Sequence, residues 1–180
     1  RAVVTGTATG HVVCFRDDKT EPAWRFQSTC EVSCLAELPD VNGDGTTEIV
    51  VSGADQRVHL LDGKTGKVVW THHFKSTDGV AYVSKLLIGP DQNRDGMPEI
   101  VTRMWGGELA VLSGRSGEEI WRKKYDDGFM DGLAIAKDLN SDGDGEFVIV
   151  ANDGIVRTCS GRDGAVLWSG RVDRSLRDVT

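Results

Sequence analysis

Three segments of this chain place oxygen-bearing side chains at alternate residues and again at the ninth. They are Asp40-Val41-Asn42-Gly43-Asp44-Gly45-Thr46-Thr47-Glu48, Asp91-Gln92-Asn93-Arg94-Asp95-Gly96-Met97-Pro98-Glu99 and Asp138-Leu139-Asn140-Ser141-Asp142-Gly143-Asp144-Gly145-Glu146. Side-chain oxygens at positions 1, 3, 5 and 9, a backbone carbonyl at 7 and a glycine at 6 can wrap a hard cation. Calcium takes such oxygens at roughly 2.3–2.6 Å. The spacing therefore predicts up to three calcium sites, and without a cation the grouped carboxylates of each loop repel one another.

The first half of each loop is that of an EF-hand, whose second half requires a bidentate Glu at position 12 and a helix on either side. Position 12 is Val51, Thr102 and Ile149 here, each inside an apolar run, and the last carboxylate arrives at position 9 instead. These are loops that enter strands. Asp, Asn and Gly also build metal-free Asx-turns, but three matched copies with four carboxylate or amide groups each favour the cation.

Strands must hold the loops, and a repeat sets them. Trp24, Trp70, Trp121 and Trp168 recur at spacings of 46, 51 and 47, and Asp40, Asp91 and Asp138 at 51 and 47. A period in the forties with short apolar runs and glycine turns is that of a β-propeller whose blades have four antiparallel strands. One unit reads as strands over Val32–Leu38, Glu48–Ser52, Arg57–Asp62 and Lys67–His73. The next reads as Val83–Ile88, Glu99–Arg103, Leu109–Ser113 and Glu118–Lys123, and the last as Leu133–Lys137, Phe147–Ala151, Ile155–Cys159 and Ala165–Arg171. No segment has helical periodicity.

The fold class is thus all-β, a single propeller domain or propeller segment with units near 1–28, 29–75, 80–125 and 131–172 and a partial strand at 175–180. The first unit holds three strands, Ala2–Thr5, His11–Phe15 and Ala23–Gln27. Ser175–Thr180 could complete it and close a four-blade ring, removing exposed sheet edges. Closed propellers span about 4 to 8 blades, which favours a segment of a larger ring over a closed ring at the lower limit. Aligning Arg1 with Glu48 puts a cation where the loop's last carboxylate belongs.

At 180 residues, with 39% hydrophobic and 27% charged residues, the composition is that of a globular protein. No apolar run approaches the roughly 18–20 residues of a membrane helix, and no signal-peptide pattern follows Arg1. The piece reads as excised or processed. A net charge of −7 disfavours nucleic acid as a partner.

A second signature lies between the third and fourth strands: Asp62-Gly63-Lys64-Thr65-Gly66-Lys67-Val68-Val69-Trp70. Ser113-Gly114-Arg115-Ser116-Gly117 before Trp121 and Ser160-Gly161-Arg162-Asp163-Gly164 before Trp168 are weaker copies. A glycine supplies the turn's positive φ, and the Trp four residues on can pack across the neighbouring blade.

Together the two signatures resemble known families over essentially the whole chain. The acidic loops look like the FG-GAP calcium-binding repeats of integrin α-subunit propellers, and the turns like the tryptophan-docking motif of PQQ-like quinoprotein propellers. The first resemblance implies calcium-ligand roles for Asp40, Asn42, Asp44 and Glu48, for Asp91, Asn93, Asp95 and Glu99, and for Asp138, Asn140, Asp142 and Glu146. The carbonyls of Thr46, Met97 and Asp144 would take position 7. The turns depart from the second motif where Ser113 and Ser160 replace its Asp, and where Ser116 and Asp163 replace its Thr.

The expectation is a calcium-stabilised, non-catalytic scaffold for a protein or glycan ligand, with further blades or another chain as partner if the piece is a segment. The alternative is part of a propeller enzyme, a quinoprotein dehydrogenase or a carbohydrate-active lyase or hydrolase. A quinoprotein needs cofactor contacts and a catalytic base in a central funnel. No nucleophile elbow, paired-histidine zinc motif or phosphate-cradling glycine loop is present.

Trp105, beside Gly106 and Gly107 at a hairpin tip, is the one candidate partner contact. His72 and His73 point to opposite faces of a strand and cannot chelate together. His11 and His59 read as repeat echoes. Cys30 and Cys34 would lie about 13 Å apart on an extended strand, too far for a disulfide. Cys14 and Cys159 read as buried thiols. Millimolar calcium places the protein outside the cytoplasm, as a secreted, cell-surface or periplasmic protein.

Overall fold

β-branched and aliphatic residues fill each run between glycine turns and acidic loops, and each run is a strand. The computed structural model describes residues 1–17, 19–75, 82–125, 130–152 and 154–172. Fifteen strands and no helix are found among them. The first sheet is β1 (Ala2–Gly6), β2 (His11–Arg16) and β3 (Trp24–Gln27). The second is β4 (Val32–Leu38), β5 (Glu48–Gly53), β6 (Arg57–Leu61) and β7 (Val68–His73). The third is β8 (Val83–Ile88), β9 (Ile100–Met104), β10 (Glu108–Leu112) and β11 (Glu119–Lys124). The fourth is β12 (Met130–Ala136), β13 (Glu146–Ala151), β14 (Ile155–Cys159) and β15 (Val166–Arg171).

Every sheet is an antiparallel meander in chain order. The sheets stack face to face as propeller blades, and three apolar layers separate them. Val12, Cys14 and Trp24 meet Ile49, Val51 and Leu61 in the first layer. Val50, Val58 and Leu60 meet Val83, Ile100 and Leu112 in the second. Val101, Leu109 and Val111 meet Leu133, Phe147 and Cys159 in the third. This explains why Ile49, Val50 and Val51 in β5, and Ile100 and Val101 in β9, are apolar and buried in succession: a strand covered by blades on both faces has no solvent side to alternate with.

Among the described residues the blades form an open arc, not a closed ring, and no strand pairs the first sheet with the fourth. Ser175–Thr180, the segment expected to pair with Ala2–Thr5, lies outside the described residues. One alignment is corrected. Val3 pairs with Phe15 as Ile49 pairs with Leu61, so Ala2, not Arg1, stands at the place of Glu48. The first sheet carries no carboxylate there.

Each acidic loop joins the first and second strands of its sheet, and each glycine turn joins the third and fourth. Both are therefore on one rim. The hairpins between second and third strands, including Trp105-Gly106-Gly107, are on the other.

Candidate functional site

The acidic loops are tied by their own side chains. In the first, Asp40 accepts the N–H groups of Gly43 (2.6 Å), Asp44 (3.1 Å) and Gly45 (2.7 Å), so one carboxylate organises the whole turn. Asn42 Oδ1 accepts from Asp44 N–H, and Asp44 Oδ1 from Thr46 N–H. The backbone is left-handed at Gly43 (φ 80°) and Gly45 (φ 83°), which glycine adopts without strain. The third loop repeats this pattern, with Asp138 accepting from Ser141, Asp142 and Gly143.

Glu48, Glu99 and Glu146 start the second strand or immediately precede it, and all three are fully buried. Each has one oxygen held by backbone: Glu48 by Val41 N–H, Glu99 by Gln92 and Asn93 N–H, Glu146 by Leu139 N–H. The other oxygen of each, Glu48 Oε1, Glu99 Oε2 and Glu146 Oε1, is buried without a hydrogen-bond partner. A buried unpaired carboxylate oxygen is costly, and a cation, if bound, would satisfy it.

Electrostatics agree. Burial pushes the Glu48 carboxyl above its ordinary range, and the nearby charges of Asp40, Asp44 and Asp62 push the same way against the Val41 hydrogen bond. Burial also raises Glu99, against its two backbone bonds. Asp40 and Asp142 sit below the ordinary range because backbone N–H groups, chiefly those of Gly45 and Asp144, donate to them.

Proximity separates the loops. Carboxylate oxygens of Asp40, Asp44 and Glu48 lie within 4.8 Å of one another, as do those of Asp138, Asp142 and Glu146. Asp91, Asp95 and Glu99 form no such trio among the described residues. In that loop Asp95 takes a 3.0 Å hydrogen bond from Ser113 Oγ and faces Arg115 Nε at 3.8 Å.

One basic residue per loop was not singled out by the sequence reading. Lys64 is 4.0 Å from Asp44, Arg115 donates to the carbonyl of Asp95, and Arg162 bonds Asp144 Oδ2 at 2.9 Å and the carbonyl of Asp142 at 3.1 Å. The signal was present, since each follows the first glycine of its turn. These cations offset part of each loop's charge from the outer side. Asn42 Nδ2 adds a further tie, donating to Asp62 at 2.8 Å.

The same turns receive the tryptophans of the preceding blades. Trp24 Nε1 donates to the carbonyl of Gly63 (2.9 Å), Trp70 Nε1 to Gly114 (3.2 Å) and Trp121 Nε1 to Gly161 (2.7 Å). The rings lie against Gly66, Gly117 and Gly164, all left-handed, where an added Cβ would come within 2.5–2.8 Å of the ring. His72 Nδ1 is 2.9 Å from the carbonyl of Gly117, so this histidine bridges two blades.

On the opposite rim a cleft of about 280 Å³ is lined by Ser84, Arg103, Trp105, Met130, Asp131 and Asn152 among others. Trp105 is 52% exposed and meets the edge of Tyr82 at 6.2 Å. Arg103 Nε donates to Ser84 Oγ at 3.1 Å, and its Nη1 to the carbonyl of Asp131. The cysteines Cys14, Cys30, Cys34 and Cys159 are all free thiols.

Blades of this build, locked by Trp on a glycine turn, match the family described as outer membrane protein assembly factor BamB over residues 1–128. The chain belongs to this PQQ-type family. A quinoprotein ethanol dehydrogenase of Pseudomonas putida is 28% identical over 113 residues, covering 61% of this chain and 17% of that protein. Among solved structures, Sqt1 of Saccharomyces cerevisiae superposes with a TM-score of 0.80 at 14% identity, over 99% of this chain and 50% of that one. BamB of Moraxella catarrhalis superposes with a TM-score of 0.61 at 19% identity, over 94% and 45%. The chain therefore spans about half the length of these propellers and less of the dehydrogenase.

PQQ-type membership raises the question of the quinone itself. Pyrroloquinoline quinone is a planar tricarboxylate, and the described cleft does not fit it. Arg103 is the one cation among the lining residues, its donors go to Ser84 and Asp131, and the Asp131 carboxylate shares the cleft.

Proposed function

We propose that this PQQ-type propeller is a calcium-stiffened scaffold that presents its rims to a protein or glycan partner and has no catalysis of its own. The observation that carries the reading is the pair of fully buried, unpartnered oxygens Glu48 Oε1 and Glu146 Oε1, each belonging to a trio of carboxylates within 4.8 Å. Oxygen-only donors of this number suit calcium. In the FG-GAP manner, Asp40, Asn42, Asp44, Glu48 and the Thr46 carbonyl would hold one ion, and Asp138, Asn140, Asp142, Glu146 and the Asp144 carbonyl another. The middle loop, with Asp91, Asn93, Asp95, Glu99 and the Met97 carbonyl, would hold a third ion more weakly, because Ser113 and Arg115 compete for Asp95.

Extracellular calcium modules bind at about 10⁻⁴–10⁻³ M, which supports an extracytoplasmic setting. So does the outer-membrane role in the description of the matched family. Trp105 and its cleft are the contact surface favoured for the partner, an exposed aromatic beside a few polar groups. Calorimetric titration with calcium tests the reading: two tighter ions or more, with the two tighter ones lost in Glu48→Gln and Glu146→Gln together, is the expected result. No heat at millimolar calcium overturns it.

A second reading, a segment of a quinoprotein dehydrogenase, is supported by the Pseudomonas putida relative. Reconstitution with pyrroloquinoline quinone and calcium separates the two. A bound chromophore favours the enzyme, and an unchanged spectrum favours the scaffold.

A further inference from the structure

The three acidic loops share one set of ties and differ in a single hydrogen bond. In each, the asparagine at the third position accepts the N–H of the aspartate at the fifth, Asn42 from Asp44, Asn93 from Asp95 and Asn140 from Asp142, all at 2.9 Å. With Oδ1 held there, the place of Nδ2 distinguishes the loops. Asn93 Nδ2 donates to Asp95 Oδ2 and Asn140 Nδ2 to Asp142 Oδ2, both at 3.0 Å. Asn42 Nδ2 donates instead to Asp62 Oδ2 at 2.8 Å, on the neighbouring glycine turn.

Asp62 is itself held in place. Its Oδ1 takes the Thr65 N–H at 2.6 Å and the Thr65 hydroxyl at 2.7 Å, while Oδ2 takes Asn42. Ser113 and Ser160 stand at the same register in the other two turns, following Leu112 and Cys159 as Asp62 follows Leu61. Neither serine takes the asparagine. Ser113 Oγ donates to Asp95 Oδ2 at 3.0 Å, and Ser160 Oγ accepts the N–H of Arg162 at 3.2 Å.

The consequence falls on the carboxylate at the fifth position. A cation entering the middle or third loop must draw Asp95 Oδ2 or Asp142 Oδ2 out of a hydrogen bond with asparagine, whereas Asp44 Oδ2 faces Lys64 at 4.0 Å and is not engaged by Asn42. The charge of Asp62 also reaches the buried Glu48, alongside those of Asp40 and Asp44. Glu48 Oε1, fully buried and without a hydrogen-bond partner, calls for an ion in this same loop. Calcium affinity in such loops follows the number of charges and the rigidity of the ligands.

We infer that Asp62 is a positioning residue that makes the loop at 40–48 the tightest of the three calcium sites, by holding the Asn42 amide off Asp44. This role rests on the calcium reading proposed for the loops and sharpens it, since it assigns the order of affinity to a residue outside the ligand set.

Calcium calorimetry on the whole chain, with two loops silenced at a time, tests it. In Glu99→Gln/Glu146→Gln only the loop at 40–48 keeps its glutamate, and adding Asp62→Ser should weaken binding about tenfold, the size expected for one hydrogen bond to a charged group. In the same chain carrying Asn42→Asp, which has no NH2 group to place, Asp62→Ser should have little effect. The reverse change is Ser160→Asp with Asp163→Thr in Glu48→Gln/Glu99→Gln. It rebuilds the pairing of Asp62 and Thr65 beside the loop at 138–146 and should tighten that site by a similar factor. A residue that only capped its own turn would change the melting temperature in EDTA and leave all these affinities unmoved. No calcium heat from the native chain overturns the calcium reading and the role of Asp62 together. Binding by the native chain overturns the role of Asp62 alone if Asp62→Ser leaves affinity unchanged, if it weakens binding equally with and without Asn42→Asp, or if the rebuilt turn does not tighten its loop.

Discussion

At the scale of single residues, the buried glutamates carry the most specific consequence. Glu48→Gln removes a charge that burial already disfavours, so the protein in EDTA should melt at the same temperature or higher while its response to calcium shrinks. Thermal melts with and without calcium check both halves. The histidines give a pH dependence of known sign. Burial lowers His59 and His72 below 6.5, so both stay neutral in the fold while the unfolded chain binds protons near that pH. Stability is therefore full above about pH 6.5 and falls as pH drops toward the depressed folded values. Comparing melts of the native chain and His72→Gln between pH 7.5 and 5.5 should show a shallower fall in the variant. The acidic loops themselves were legible, because alternate oxygens with glycine at position 6 form a tight turn whose backbone N–H groups the first Asp accepts. The orphaned oxygens were not legible, because burial of Glu48 and Glu146 is made by packing across the sheet.

At the scale of elements, loop and turn act as a pair on one rim. The glycine turn receives a tryptophan from one side and touches the acidic loop of its own sheet on the other, through Lys64, Arg115 or Arg162. Gly117→Ala meets both a left-handed backbone (φ 73°) and the Trp70 ring at 2.5 Å. It should cost roughly 1–3 kcal/mol in denaturant melts. The three loops should also differ. Asp44→Ala and Asp142→Ala should each remove a large part of the calcium response, and Asp95→Ala little of it, since Ser113 and Arg115 already engage that carboxylate. Strand positions were readable from the repeat, as Val32–Leu38, Val83–Ile88 and Ile155–Cys159 show. Which loops bring three carboxylates within 4.8 Å was not, because loops of near-identical sequence differ there only in side-chain placement.

At the scale of the whole molecule, the described blades are held by three interblade apolar layers in an open arc, and the proposed calcium sites would add to them. A site held at ten times its dissociation constant adds about 1.4 kcal/mol. Removing calcium with EDTA should therefore lower the melting temperature measurably, and an unchanged melt would contradict the proposed role of the loops. The sequence alone determined the all-β blades, the period at which they repeat and the spacing within the acidic loops, since each depends on a local pattern of side chains and turns that the chain carries in itself. Only the tertiary structure decided which carboxylates converge, that Ala2 rather than Arg1 faces the place of Glu48, and that Trp168 is left bare while its three equivalents are docked. The first two depend on side-chain placement within a loop and strand pairing within a sheet, and the third on tryptophans meeting carbonyls 39 to 44 positions away in the next blade.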